Sequence, residues 1–216
     1  MVNSSSSKAS PQDPEQQRQL LLSLLRLEPR GAASREAAQV RELIVGLEQA
    51  MPADLTAPDS LKRLEGVWEL RWSSSSQPYL AVAPWLENLQ LLSPTDGRGM
   101  NLLRLTGPFA SLASIALEAE IKVESAKSPS ENNASRQRVQ VRFQRGGWLG
   151  PRLGTERLRL FRRVKQSFPA WLDITVLDDE LRVCRGNAGT LFALLRRYDL
   201  NLQELMLPKA QARARH

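Results

Sequence analysis

The sequence predicts a mainly β protein entered through a helical hairpin, and three observations carry that expectation. Apolar residues recur at helical spacing as far as Leu47 and change to strand alternation at Val67. Roughly eight or nine short strands then come at regular spacing, divided by turn-forming stretches. The last stretch, from Leu172 to Arg197, reads as strand, acidic turn, strand, glycine turn, strand. An antiparallel meander is the economical path, and such a series builds a sandwich or an up-and-down barrel.

Residues 1–12 are Ser-rich and polar and lack an apolar core. They read as a flexible tail rather than a secretory signal or transit peptide. Asp13, Pro14 and Gln16 are a helix start: an acidic cap, proline at the first helical position and Gln three residues after the cap. Leu20, Leu21, Leu24, Leu25 and Leu27 continue at helical spacing until Pro29 and Gly31 end the run. Ser34 is the expected cap of a second helix, whose stripe is Val40, Leu43, Ile44 and Leu47. This segment, 13–52, buries little alone and is expected to pack on the strands that come after it in the chain. Pro52 and Pro58 mark an extended linker.

Strands are then expected over Val67–Trp72, Glu87–Leu92, Met100–Leu105, Ser114–Val123, Arg138–Gln144 and Leu153–Val164. Alternation puts Trp68, Leu70 and Trp72 on one face, and Val139, Val141 and Phe143 inward opposite Arg138, Gln140 and Arg142. Lys127–Ser135 is a polar loop, and Gly146–Pro151 is a flexible loop carrying Trp148 and Leu149 at its tip. Near the end, Leu172, Ile174 and Val176 alternate, Asp178 and Asp179 supply turn chemistry, and Gly186, Asn187 and Gly189 make the next turn. Thr190–Leu195 is apolar throughout, as a strand buried on both sides would be. The β unit spans 60–200, and residues 208–216 form a basic tail.

Thirty Lys and Arg face twenty-three Asp and Glu, so the net charge of +7 favours anionic partners. Arg138, Arg142, Arg157 and Arg159 share the outward phase of two successive strands, flanked by Arg152, Arg162, Arg163 and Lys165. That face reads either as a solvated surface or as a dock for an anionic membrane. Nucleic acid is not expected, because few aromatic residues interleave with these arginines. No apolar stretch reaches membrane-spanning length.

Two motifs resemble the plastid lipid-associated protein family, the PAP/fibrillin family. VLDDELRVCRGNAGTLFALL is similar to that family's closing pattern, matching at Leu177, Asp178, Leu181, Arg182, Arg185, Gly186, Gly189, Leu191 and Phe192. Val176 stands where the family usually has Tyr, and Cys184 where it usually has Ser. LEGVWELRWSS, from Leu64, resembles the family's LxGxWxLLYTSS. The resemblance covers about residues 15 to 200. It implies a lipocalin-like antiparallel barrel, a plastid or cyanobacterial setting, and association with thylakoids or lipid globules. The lack of a convincing transit peptide favours the cyanobacterial alternative, thylakoid-associated or cytoplasmic.

Little in the sequence offers catalysis. The single histidine is His216 and the single cysteine Cys184, which removes most nucleophile–histidine pairs, metal sites built on His or Cys, and any internal disulfide. Asp178 and Asp179 read as a general acid/base or Mg²⁺ pair, or as turn caps with an ion pair to Arg182 or Arg185. The resemblance implies that Asp178, Arg182 and Arg185 fix the barrel's end or place a polar ligand head. Trp68, Trp72, Phe143 and Trp171 are read as core or as the wall of a pocket.

The expected function is therefore non-catalytic and needs no cofactor or metal. The protein binds a hydrophobic lipid or isoprenoid ligand (quinone, carotenoid or acyl lipid) through Trp68, Trp72, Phe143, Trp171, Asp178, Arg182 and Arg185. It docks on an anionic membrane surface through Arg142, Trp148, Arg157 and Arg159. Two other readings stay open: a scaffold that coats lipid bodies or holds a protein partner in prenyl-quinone synthesis, and a lipocalin-like enzyme such as a bilin lyase.

Overall fold

The helical entry follows from its capping chemistry. In the computed structural model, which describes residues 13–77, 80, 82–107, 114–124, 137–154, 156–167 and 169–207, α1 (Pro14–Leu25) starts behind Asp13. The Asp13 carboxylate accepts the Glu15 N–H at 3.2 Å, and Pro14 occupies a position that needs no N–H. The two expected tails and the Lys127–Ser135 loop lie outside the described residues. Gly31, at φ +86°, turns the chain into a 3-10 segment, Ala32–Glu36, and then α2 (Ala37–Ala50). A Cβ at Gly31 would sit 2.6 Å from the Val82 carbonyl oxygen, so glycine is required there by space as well as by φ. Ser34 lies inside the 3-10 turn and does not cap α2, a correction to the sequence reading. The predicted stripe Val40, Leu43, Ile44 and Leu47 is buried. The linker ends in a short helix that the sequence pattern did not announce, α3 (Ser60–Leu64).

Among the described residues nine strands come next: β1 (Gly66–Ser73), β2 (Leu86–Ser93), β3 (Arg98–Leu105), β4 (Ser114–Val123), β5 (Arg138–Leu153), β6 (Glu156–Arg163), β7 (Ala170–Leu177), β8 (Leu181–Gly186) and β9 (Leu191–Arg196). Antiparallel pairing runs β4-β3-β2-β1-β9-β8-β7-β5, and β5 pairs again with β4 to bring the sheet round into a barrel-like ring. The first strand is joined to the last, with Leu70 opposite Leu194. β6 stands outside the circuit, held by the distal half of β5. A final short helix, α4 (Leu202–Leu205), is capped by Asn201.

Inside the ring Trp68, Leu70, Ile121, Val139, Ile174, Cys184, Phe192 and Leu194 form one cluster, which Leu55 and Leu64 join at the end where β1 begins. The helical hairpin covers the outside of β1, β7, β8 and β9, packing Leu21, Leu25, Ile44 and Leu47 on Trp72, Val176, Val183 and Ala193. A third cluster lies under α4. β9 serves both of the first two clusters by alternation, as its unbroken apolar run predicts.

Two bulges correct the sequence reading. Register slips between Leu70 and Trp72 on β1, so Trp72 turns outward under α2 while Trp68 and Leu70 stay inside. A second slip between Ile174 and Val176 sends Val176 to the helix side. The Gly146–Pro151 stretch is part of β5, not a loop.

Ile44→Ala, which empties a buried site between hairpin and ring, should cost about 2–5 kcal/mol in denaturant unfolding. Helix and tryptophan signals should fall in a single transition. Two separated transitions would mean that the hairpin is an independent unit.

Candidate ligand-binding cavity

The ring's inner face has more width than its side chains fill. A cavity of about 620 Å³ remains, open at the end where Ser74–Gln77 and the Asn187–Thr190 turn meet. Its wall is mostly apolar, with Leu92, Leu117, Ile121, Val141, Phe143, Trp171 and Phe192; Gln90 and Asn101 are polar on the wall, and Ser74–Gln77, Asn187 and Thr190 are polar at the rim. Of the residues expected to touch a ligand, Phe143 and Trp171 line this space. Arg138 fixes the Trp171 ring, lying 4.0 Å from its centroid while donating to both oxygens of Asp173 at 2.8 and 3.0 Å.

Trp68 is inside the ring but sealed. Its Nε1 donates to the Leu64 carbonyl at 3.0 Å, and the guanidinium groups of Arg182 and Arg196 lie 5.2 and 4.3 Å from its ring. Trp72 is outside the ring, under the helices.

The expected pairing of Asp178 with Arg182 or Arg185 is replaced by partners from the helical hairpin. Arg18 donates to both Asp178 oxygens, from Nε at 2.7 Å and Nη2 at 3.2 Å. The N–H groups of Glu180 and Leu181 donate to Oδ1 at 2.7 and 2.8 Å, which makes Asp178 a turn cap as well. Burial pushes this carboxyl up, but Arg18 and the two amides outweigh it and hold it below the usual range. Arg185 grips Glu48 of α2, with 2.8 Å from Nε to Oε1 and a second bond from Nη2 to Oε2. These contacts were hidden in the sequence because both partners come from more than a hundred residues away.

Arg182 is fully buried on the inward phase of β8. Its Nη2 donates to Gln90 Oε1, while Nε and Nη1 have no hydrogen-bond partner among the described residues. Among the described residues no group of three His, Cys, Asp or Glu side chains stands together as a metal site.

Beyond the mouth, β4, β5 and β6 carry the inward phase into solvent. Ile115, Trp148 and Leu160 face one another across the three strands, with Leu158 beside them. Leu160 is 72% and Ile115 60% exposed, so this is an apolar lip rather than a core. Gly147 allows it: a Cβ there would lie 1.8 Å from the Leu160 carbonyl oxygen, so β6 could not pair so closely. The opposite face carries the exposed Arg142, Arg159 and Arg163. Arg157, on the same phase, is half-buried and donates to the Gly150 carbonyl at 2.9 Å.

The PAP_fibrillin family model matches residues 15–195. The chain is 28% identical to the chromoplast-specific carotenoid-associated protein C2 of an Oncidium hybrid cultivar, over 76% of this chain and 63% of that protein. The C1 protein of the same plant gives the same three values. Identity is 26% to the chloroplastic light-induced protein of Solanum tuberosum, over 76% of this chain and 61% of the relative. The chain thus spans about 63% of the length of the first curated relatives it matches. No solved structure matches.

Asp178→Asn should lower stability at neutral pH by about 1–3 kcal/mol, the range for a charged hydrogen bond. Because the folded carboxyl sits below its unfolded value, its contribution is complete above about pH 4 and fades as pH falls through the lower folded value. Urea titrations of wild type and variant should therefore converge in acid. A constant difference down to the acid limit would remove Arg18 as the cause.

Proposed function

This chain belongs to the PAP/fibrillin family, and from that premise we propose that it is a non-catalytic binding protein for hydrophobic small molecules. The ligand class is a quinone, carotenoid or acyl lipid, held in the ring's cavity while the protein rests on an anionic membrane surface. The cavity carries this reading: its volume, about 620 Å³, falls in the ordinary range for small-molecule sites, and its wall is apolar with few polar groups. The names of the relatives support an apolar isoprenoid or lipid, two being called carotenoid-associated. Their chromoplast and chloroplast labels support a plastid-type setting, at thylakoids or lipid globules.

Residues 60–200 act as the binding unit and 13–52 as its helical cover. Phe143 and Trp171 touch the ligand, Trp68 stiffens the interior, and Asp178 and Arg185 tie the ring to the cover. Among the described residues no helix is long and apolar enough to cross a membrane. Contact with lipid falls instead to the lip. The lip enters edge-on: Trp148, Ile115, Leu158 and Leu160 sit in the interface from one face of the sheet, and Arg142, Arg159 and the half-buried Arg157 meet anionic headgroups from the other, at roughly 1 kcal/mol for each exposed base.

Lipid extraction and mass spectrometry of gently purified protein from a photosynthetic host test the first half, with an inert barrel protein as control. A stoichiometric apolar molecule is expected. An empty protein that still floats with vesicles would favour a surface scaffold instead. For the second half, Trp148→Ser combined with Leu160→Ser should weaken flotation on anionic vesicles about tenfold or more, with melting unchanged. Unaltered flotation would rule the lip out as the contact.

A further inference from the structure

Arg182 is a buried cation. It projects into the ring beside Cys184 and is 0% exposed, yet two of its nitrogens have no hydrogen-bond partner among the described residues. Among the described residues it makes no ion pair. The acid of the adjoining turn, Asp178, is committed to Arg18. Burial pushes the Cys184 thiol up to about 11, so it stays neutral beside the guanidinium. Burial also pushes Arg182 down, but only to about 10, so it remains charged at neutral pH. A neighbour adds positive charge, since the Arg196 guanidinium lies 4.3 Å from the centroid of the same Trp68 ring.

A buried charge left unpaired is among the most costly features a fold can carry. Stacking on Trp68 offsets part of that cost but gives the free N–H groups no acceptor. Gln90 connects this cation to the cavity. Its amide lines the cavity wall, and its Oε1 accepts the single bond that Arg182 donates. The donor end of the same amide is thereby turned away from the guanidinium.

We propose that the cavity is built for a long-chain carboxylate, an apolar tail ending in an anionic head that Gln90 and Arg182 receive at depth. The tail lies along Leu92, Ile121, Val141 and Phe192 toward Phe143 and Trp171 near the mouth. This rests on the binding function proposed above and selects within it. A pure hydrocarbon carries no acceptor for Arg182, and a quinone carbonyl is an acceptor without charge. A carboxylate alone among these classes supplies both oxygens and the missing negative charge.

Titrating the full-length protein with cis-parinaric acid and with its methyl ester, by fluorescence, separates charge from chain. The wild type should bind the acid roughly 10- to 100-fold tighter, the worth of a charge-assisted hydrogen bond. Arg182→Met should bring the acid down to the ester's affinity while the ester still binds, which also reports an intact fold. Arg162→Gln, which removes an exposed cation on the lip, should leave the acid-to-ester ratio unchanged. If that ratio is lost with Arg162→Gln, the carboxylate is read at the rim and the proposal fails, whether or not Arg182→Met folds. Equal affinity of wild type for acid and ester overturns the carboxylate and leaves apolar binding standing. Binding of neither probe, with no molecule recovered in the lipid extracts, overturns both.

Discussion

Everything in this structure depends on β5 being long enough to serve three partners. Its first residues, Arg138–Val141, pair with β7 on one side while β4 runs along the other. Beyond Phe143 it leaves β7 and takes up β6. The first pairing closes the ring and removes the open edges that a curled sheet would otherwise expose. The second continues the sheet past the point of closure. The hand-over leaves backbone groups without a strand partner, and one side chain repairs the gap: the Phe143 N–H donates to Gln166 Oε1 at 2.6 Å, and Gln166 Nε2 donates to the Val141 carbonyl at 3.2 Å. Cavity, mouth and lip are three results of that one change of partner.

The helical hairpin is held on the ring by charge as well as by oil. Arg71, nearly buried on β1, donates to the Leu25 and Leu27 carbonyls and to Glu28, at the end of α1. Arg30 bridges to Glu69 and Glu87, which Arg197 also bonds at 2.9 Å each. Burial pushes the Glu87 carboxyl up, and Arg197 and Arg104 more than reverse it. Such a network adds little over an apolar replacement of equal shape, yet losing one member strands the others. It fixes where the hairpin sits more than how strongly it adheres.

The sequence was most readable where one physical period dominates. The stripe Val40–Leu47 and the alternation at Val139–Phe143 depend on neighbours within two turns or two strand pairs, so the expected faces hold. It was least readable where one residue changes the phase. The slips after Leu70 and Ile174 invert Trp72 and Val176 without any glycine or proline to mark them. Gly146 and Gly147 resembled a loop because glycine signals turns more often than close strand approach. In the cavity, aromatic residues were legible as a class, but Gln90 looked like any polar strand residue. The acid–base partners Arg18–Asp178 and Glu48–Arg185 lie across the tertiary fold, and charge counting does not choose among thirty basic side chains.

The join between β1 and β9 has a further consequence in time. The strand that emerges early from the ribosome waits for almost the last one before its free edge is satisfied, and every intervening strand must be placed first. Such non-local pairing slows folding and leaves an unpaired edge exposed meanwhile. A nascent chain stopped short of Leu191 would hold an open, sticky sheet with its inner face bared to solvent. The ring is thus sealed by the segment whose sequence is most distinctive, and synthesis of that segment is the moment at which the protein becomes safe from its own neighbours.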